Sequence, residues 1–194
     1  MRASRKDTPT LVTPRSPAAW RAWLHKHHAQ TTGIRLRLFK KDSGKQVLTY
    51  AQALDEALCF GWIDGRKDTY DAESWVQNFS PRRARSPWSK INTAHAERLM
   101  KEGRMMPAGK AQVDAAREDG RWRAAYDSPG ASTIPADFLE ALAKSKRAMA
   151  FFQTLNRANL YAIAYRLQTA KKPETRAKRM KAILQMMKEG KKFH

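Results

Sequence analysis

From residue 88 onward the chain is punctuated by Gly103, Gly120, Pro135, Pro173 and Gly190, and apolar residues recur at helical spacing between these breaks. Proline inside a helix removes a backbone donor and clashes with the preceding turn, and glycine is favoured just past a helix end. The C-terminal half is therefore restricted to a string of short helices. The spacing predicts one over 88–101, another over 108–118, and a third with Pro135 in its first turn running to about Ala143. Phe151, Phe152, Leu155, Leu160, Ile163, Ala164 and Leu167 belong to one or two buried helices. Pro173 starts the last helix. Ala177, Met180, Leu184 and Met187 line one of its faces, with Arg176, Arg179, Lys181 and Lys188 around the rest. The segment RWRAAYDSPGAST reads as a loop with Trp122 and Tyr126 as anchors into the core.

Before residue 80 a different period enters. Ser16 and Pro17 suit the start of a helix, whose apolar stripe is Trp20, Trp23, Leu24 and His27. After Gly33 the chain alternates, with Ile34, Leu36 and Leu38 on one side and Arg35, Arg37 and Phe39 on the other, as in a half-buried strand. Thr49 and Gln52 form a capping-box pattern for a helix with Ala51, Leu54, Ala57 and Leu58 on one face, Asp55 and Glu56 off it, and Gly61 at its end. Two strand-like runs follow, 62–67 and 74–80, joined by DTYDAE. The predicted class is α+β: an antiparallel sheet of about three strands in the N-terminal half, packed with helices, then a mostly helical C-terminal region. Trp62, Trp75 and Phe79 are expected to touch one another across the sheet. The expected organisation is a flexible arm over 1–16, an α+β region over 17–130, and a helical region over 131–190 packed on it as one structural unit.

The chain has 194 residues and a formal net charge of +20 at pH 7. A surface so basic attracts nucleic acid, anionic lipid or an acidic protein. Cys59 is the single cysteine, which excludes an internal disulfide and a cysteine-rich metal site, and its apolar surroundings point to a buried thiol. The N-terminal stretch has basic residues but no apolar core like that of a secretory signal, and no window is long and apolar enough to span a membrane. The expected location is the cytoplasm.

Catalytic chemistry finds no anchor in these motifs. The chain has neither a G-x-S-x-G frame nor a phosphate-binding glycine loop, and no cofactor motif. His25, His27 and His28 cannot converge on one metal from a single helix, and they suit its C-terminal end instead. No metal, cofactor or catalytic residue is assigned, and the reading leans away from an enzyme.

Two sets of residues remain as binding candidates. The stretch FSPRRARSPWSK combines charge with an aromatic ring. Ser86, Pro87 and Trp88 read as a capped helix start, leaving Arg82, Arg83 and Arg85 on the connection before it. A second basic block, Arg166 to Lys181, spans a joint between helices and offers backbone N–H groups near Lys172. Anion-binding candidates are thus Arg82, Arg83, Arg85, Lys90, Lys171, Lys172 and Arg176, with Trp88 or Tyr165 as a stacking face. The alternative is a small-molecule pocket or enzyme site drawn from Trp62, Asp64, Trp75 and Trp88 beside Arg82, in which Asp64 acts as a base or a ligand-orienting acid. The bland role for Asp64 is to anchor Arg82 or Arg83, or to cap a turn.

Four blocks carry a family resemblance: LTYAQALDEALCFGWIDGRKD, FSPRRARSPWSKIN, AERLMKEGRMMPAGKAQVDAAREDGRW and ANLYAIAYRLQTAKKPETRAKRM. Together, from about Trp20 to about Gly190, they resemble the YdeI/OmpD-associated family of bacterial proteins, linked by name to bacteriocin protection. The resemblance implies α+β proteins with a helical C-terminal region. It brings no catalytic residues.

Overall fold

The computed structural model describes residues 9–194. It comprises a four-stranded sheet and eight α-helices among those residues. The chain forms two compact units, one running up to Ser86 and then over Asn92–Trp122, the other made of Pro87–Ile91 and Arg123–His194.

The first unit carries the sheet. Strand β1 (Leu11–Val12) pairs parallel with β2 (Ile34–Phe39), which pairs antiparallel with β4 (Ser74–Pro81), which pairs antiparallel with β3 (Trp62–Thr69). Strand β2 is the one expected from alternation, and β3 and β4 correspond to the two strand-like runs. The fourth, β1, lies in the stretch read as an arm, where Leu11 and Val12 add to the edge of β2. The rest of that arm, residues 1–8, lies outside the described residues. Ile34, Leu36 and Leu38 are buried and the residues between them half-buried, as a period of two requires.

Helices α1 (Pro17–His27) and α2 (Tyr50–Cys59) pack together, and α2 packs on β3. Ser16 caps α1 by accepting from the N–H of Ala19 at 3.1 Å. His27 and His28 place ring nitrogens 2.8 and 3.2 Å from the carbonyls of Trp23 and Leu24, at the helix end. Thr49 and Gln52 form the reciprocal capping box of α2. Gly61, at φ 75°, lets the chain reverse directly into β3. The three sheet aromatics do not meet one another. Trp62 stands opposite Pro81, Trp75 opposite Leu38 and Thr69, and Phe79 opposite Ile34 and Asp64. Their ring partners come from the helices: Trp23 meets Trp62, Tyr50 meets Trp75, and Trp20 meets Phe79.

Helix α3 (Lys90–Lys101) starts later than its sequence suggests, because Trp88 and Ser89 are already committed elsewhere. Ser89 bridges Tyr126, with Tyr126 N–H donating to the Trp88 carbonyl and Lys90 N–H to the Tyr126 carbonyl, both at 2.9 Å. Ser86 closes a turn on Arg83 instead of capping α3. Helix α4 (Pro107–Glu118) approaches the end of α2 so closely that a Cβ on Gly109 would collide with the carbonyl oxygens of Leu58 and Cys59.

The second unit is helical: α5 (Ala136–Ala143), α6 (Lys146–Gln153), α7 (Arg157–Gln168) and α8 (Pro173–Lys188). Pro135 occupies the N-cap position of α5, just before the first turn in which the sequence places it, and makes no side-chain cap bond. Phe138, Leu142, Ala148, Ile163, Leu167, Ile183 and Met187 make one buried cluster. Among the described residues no helix is long and apolar enough to cross a membrane.

Candidate functional site

The structure separates the basic candidates by their surroundings. Arg82 is only 6% exposed, and its N–H donates to the Gly61 carbonyl, so it belongs to the interior rather than to an outward-facing patch. Arg83 and Arg85 are exposed on the turn after β4. Lys90 pairs with Asp127 at 2.7 Å. Arg176 makes a two-pronged contact with Asp137, at 2.5 and 2.8 Å. This guanidinium holds the Asp137 carboxyl below its ordinary range. Lys171 and Lys172 stay exposed at the start of α8, and neither makes an ion pair among the described residues.

Helix α8 extends that pair into a longer surface. Lys178, Lys181 and Lys188 are exposed and, at i, i+3 and i+10, share one side of the helix. Met180, Ile183, Leu184 and Met187 face the core cluster. Arg179 is drawn inward, donating to the Arg166 carbonyl at 2.8 Å. Lys178 escaped the sequence reading, although its three-residue spacing to Lys181 was available there.

The aromatic candidates separate as well. Trp62 is fully buried and donates its indole N–H to the His28 carbonyl at 3.0 Å. Trp88 is buried in the second unit, whereas Trp62, Asp64 and Trp75 lie in the first. Asp64 does not anchor Arg83 or cap a turn; it accepts the Tyr50 hydroxyl at 2.8 Å. Burial first, and then the Asp64 carboxylate, push the Tyr50 phenol above its ordinary range. The Tyr50 ring lies 6.1 Å from that of Trp75, and the Lys67 ammonium sits 4.3 Å from the Trp75 ring centre. Tyr50 thus contacts both Asp64 and Trp75, and Lys67 covers the Trp75 ring.

The densest charge network is one the sequence reading missed. Glu56, 7% exposed, accepts from Arg21 at 2.6 Å and from Arg104 at 2.7 Å. Its neighbour Asp55 takes His95 at 2.8 Å and Arg98 at 2.7 Å. Burial raises the Asp55 carboxyl, but the hydrogen bonds from His95 and Arg98 outweigh it, and the net shift is downward. Burial, reinforced by the Glu56 charge, pushes the adjacent Cys59 thiol up, against the opposing pull of Arg21 and Arg104, so it stays protonated at neutral pH. Each carboxylate here is matched by cations, which is the chemistry of a structural clamp.

Comparison with known families follows the same division of the chain. Residues 12–112, more than half of it, match a domain of unknown function (DUF8412). Residues 131–190 match the family described as bacteriocin-protection, YdeI or OmpD-associated. The protein belongs to the DUF8412 family, and its C-terminal helical region is similar to the YdeI/OmpD-associated family. The YdeI/OmpD-associated match covers the fourth of the motif blocks and not the first three, a narrower span than the resemblance implied. No curated protein and no solved structure matches the chain.

Proposed function

We propose that this is a non-catalytic cytoplasmic protein whose basic surface binds an anionic partner, with nucleic acid as the first partner to test. The observation that carries this reading is the exposed lysine row Lys171, Lys172, Lys178, Lys181 and Lys188, in which no member makes an ion pair among the described residues. Five cations along about 25 Å of helix and its approach suit the repeating charge of a phosphate backbone. Arg83 and Arg85 offer a second, smaller contact. In a family described by bacteriocin protection, such a surface would act by holding its partner rather than by altering it. Fluorescence anisotropy with labelled single- and double-stranded oligonucleotides tests the proposal. Affinity should fall at least about tenfold between 50 and 200 mM salt. Absence of binding at low salt, with the protein folded, would exclude nucleic acid, and an acidic protein recovered by co-purification would then replace it as the partner.

The second reading is a small-molecule site at Tyr50, Asp64, Lys67 and Trp75. It is favoured by the ammonium over an indole ring beside a carboxylate that holds a phenol. A ligand there would displace Lys67 from the Trp75 face. Fluorescence quenching that survives in W23F but disappears in W75F would support it, and quenching unchanged in W75F would remove it.

A further inference from the structure

The second unit contains an open groove that is separate from the lysine row. Its volume is about 480 Å³, within the range of small-molecule sites, and it is lined by Pro129, Gly130, Arg157, Ala158, Tyr161 and His194. A smaller recess of about 130 Å³ adjoins it, sharing Pro129, Gly130, Arg157 and Tyr161 and adding Ser132, Ile134 and Leu160. The lining of the larger groove is mostly apolar, and that of the recess is mixed.

Its polar features converge. Arg157 and Tyr161, four residues apart, lie on the same side of α7 and both line the groove. Arg157 is exposed and makes no ion pair among the described residues. Among the described residues no Asp or Glu side chain lines either cavity. The Asn156 side chain caps α7 by accepting from Asn159 N–H at 3.1 Å, which leaves the first-turn N–H groups of Arg157 and Ala158 without acceptors inside the helix.

The far wall is held by a buried amide. Asn159, 1% exposed, uses its side-chain oxygen to accept the N–H groups of Phe193 and His194 at 2.9 and 3.1 Å. The Arg166 guanidinium lies 4.0 Å from the Phe193 ring centre. These contacts fix the wall in place before any ligand arrives, which lowers the ordering cost of binding.

We infer that this groove binds a small monocarboxylate with an apolar body. The carboxylate would meet the Arg157 fork and the first-turn N–H groups of α7, while the body would lie along Tyr161, Pro129 and Ile134. One cation in an apolar trough suits one anionic charge; a polyphosphate would leave most of its charge without a partner.

The test is a two-dimensional amide NMR titration of the full chain with three probes: 1-naphthoate, the neutral 1-naphthalenemethanol, and inorganic phosphate. Naphthoate should shift the Gly130, Ala158 and Tyr161 amides, with a Kd at least about tenfold lower than that of the neutral alcohol. R157Q should remove most of that preference, R157K should restore part of it, and both spectra should otherwise overlay the parent. The lysine-row variant K178Q/K181Q/K188Q should bind naphthoate unchanged, which keeps this site independent of the anionic-partner reading. The inference is overturned if the alcohol binds as well as naphthoate, if phosphate alone produces the same shifts, if the shifts map elsewhere, or if R157Q has no effect.

Discussion

The two units handle charge in opposite ways. In the first, residues 9–86 and 92–122 hold 19 Lys or Arg against 12 Asp or Glu, and the acids are drawn into local clamps such as Arg21–Glu56–Arg104 and His95–Asp55–Arg98. In the second, 16 Lys or Arg face five acids, of which Asp127, Asp137 and Glu189 are paired. Most cations of the second unit therefore have no acid to meet. A shared excess of positive charge thus has two meanings: in one unit arginines tie helices together, and in the other lysines stand in solvent. Arginine suits the first task because its fork reaches two acceptors at once, and lysine is a compact, well-hydrated point charge.

Breaking the first unit should have the largest effect. Gly109→Ala forces a methyl group against the carbonyl oxygens at the end of α2, and should destabilise by about 3 kcal/mol in denaturant unfolding. Replacing Glu56 by Gln removes the acid between two part-exposed guanidiniums, and should cost about 2 kcal/mol after allowance for solvent screening. Thr49→Ala removes half of the capping box of α2 and should cost about 1 kcal/mol.

A pH titration sharpens the same contrast. The folded-state carboxyl of Asp55 is depressed, so its contribution is present above the unfolded value of about 3.9 and is lost as pH falls through the folded value. D55N should flatten the acid limb of stability below about pH 4. Substituting exposed Lys181 by Gln should leave that limb and the midpoint unchanged, within about 0.5 kcal/mol.

Local chemistry made much of the fold legible. The capping box at Thr49, the alternation from Ile34 to Phe39 and the breaks at Gly61, Pro173 and Gly190 each act over a few residues, and each has its structural counterpart. Long-range partners were not legible. Glu56 meets Arg21 and Arg104, 35 and 48 residues away, and its sequence position puts it off the apolar face of α2, whereas the structure buries it. The sequence around Trp88 has the letters of a helix start, but a bridge to Tyr126 takes its backbone first. Arg82 and Arg83 are identical neighbours in sequence, yet one is buried and the other exposed, and the letters alone do not separate them.

Moving equal charge out of each unit tests the central contrast most directly. The salt dependence of duplex-oligonucleotide binding should be measured for the parent, for K178Q/K181Q/K188Q in the second unit, and for K26Q/K41Q/K101Q in the first, all of them exposed lysines. The second-unit triple should lower the slope of log affinity against log salt by about 2.7, and the first-unit triple should leave it nearly unchanged. Equal losses from both triples would contradict the account, because binding would then follow total charge rather than the lysine row of α8.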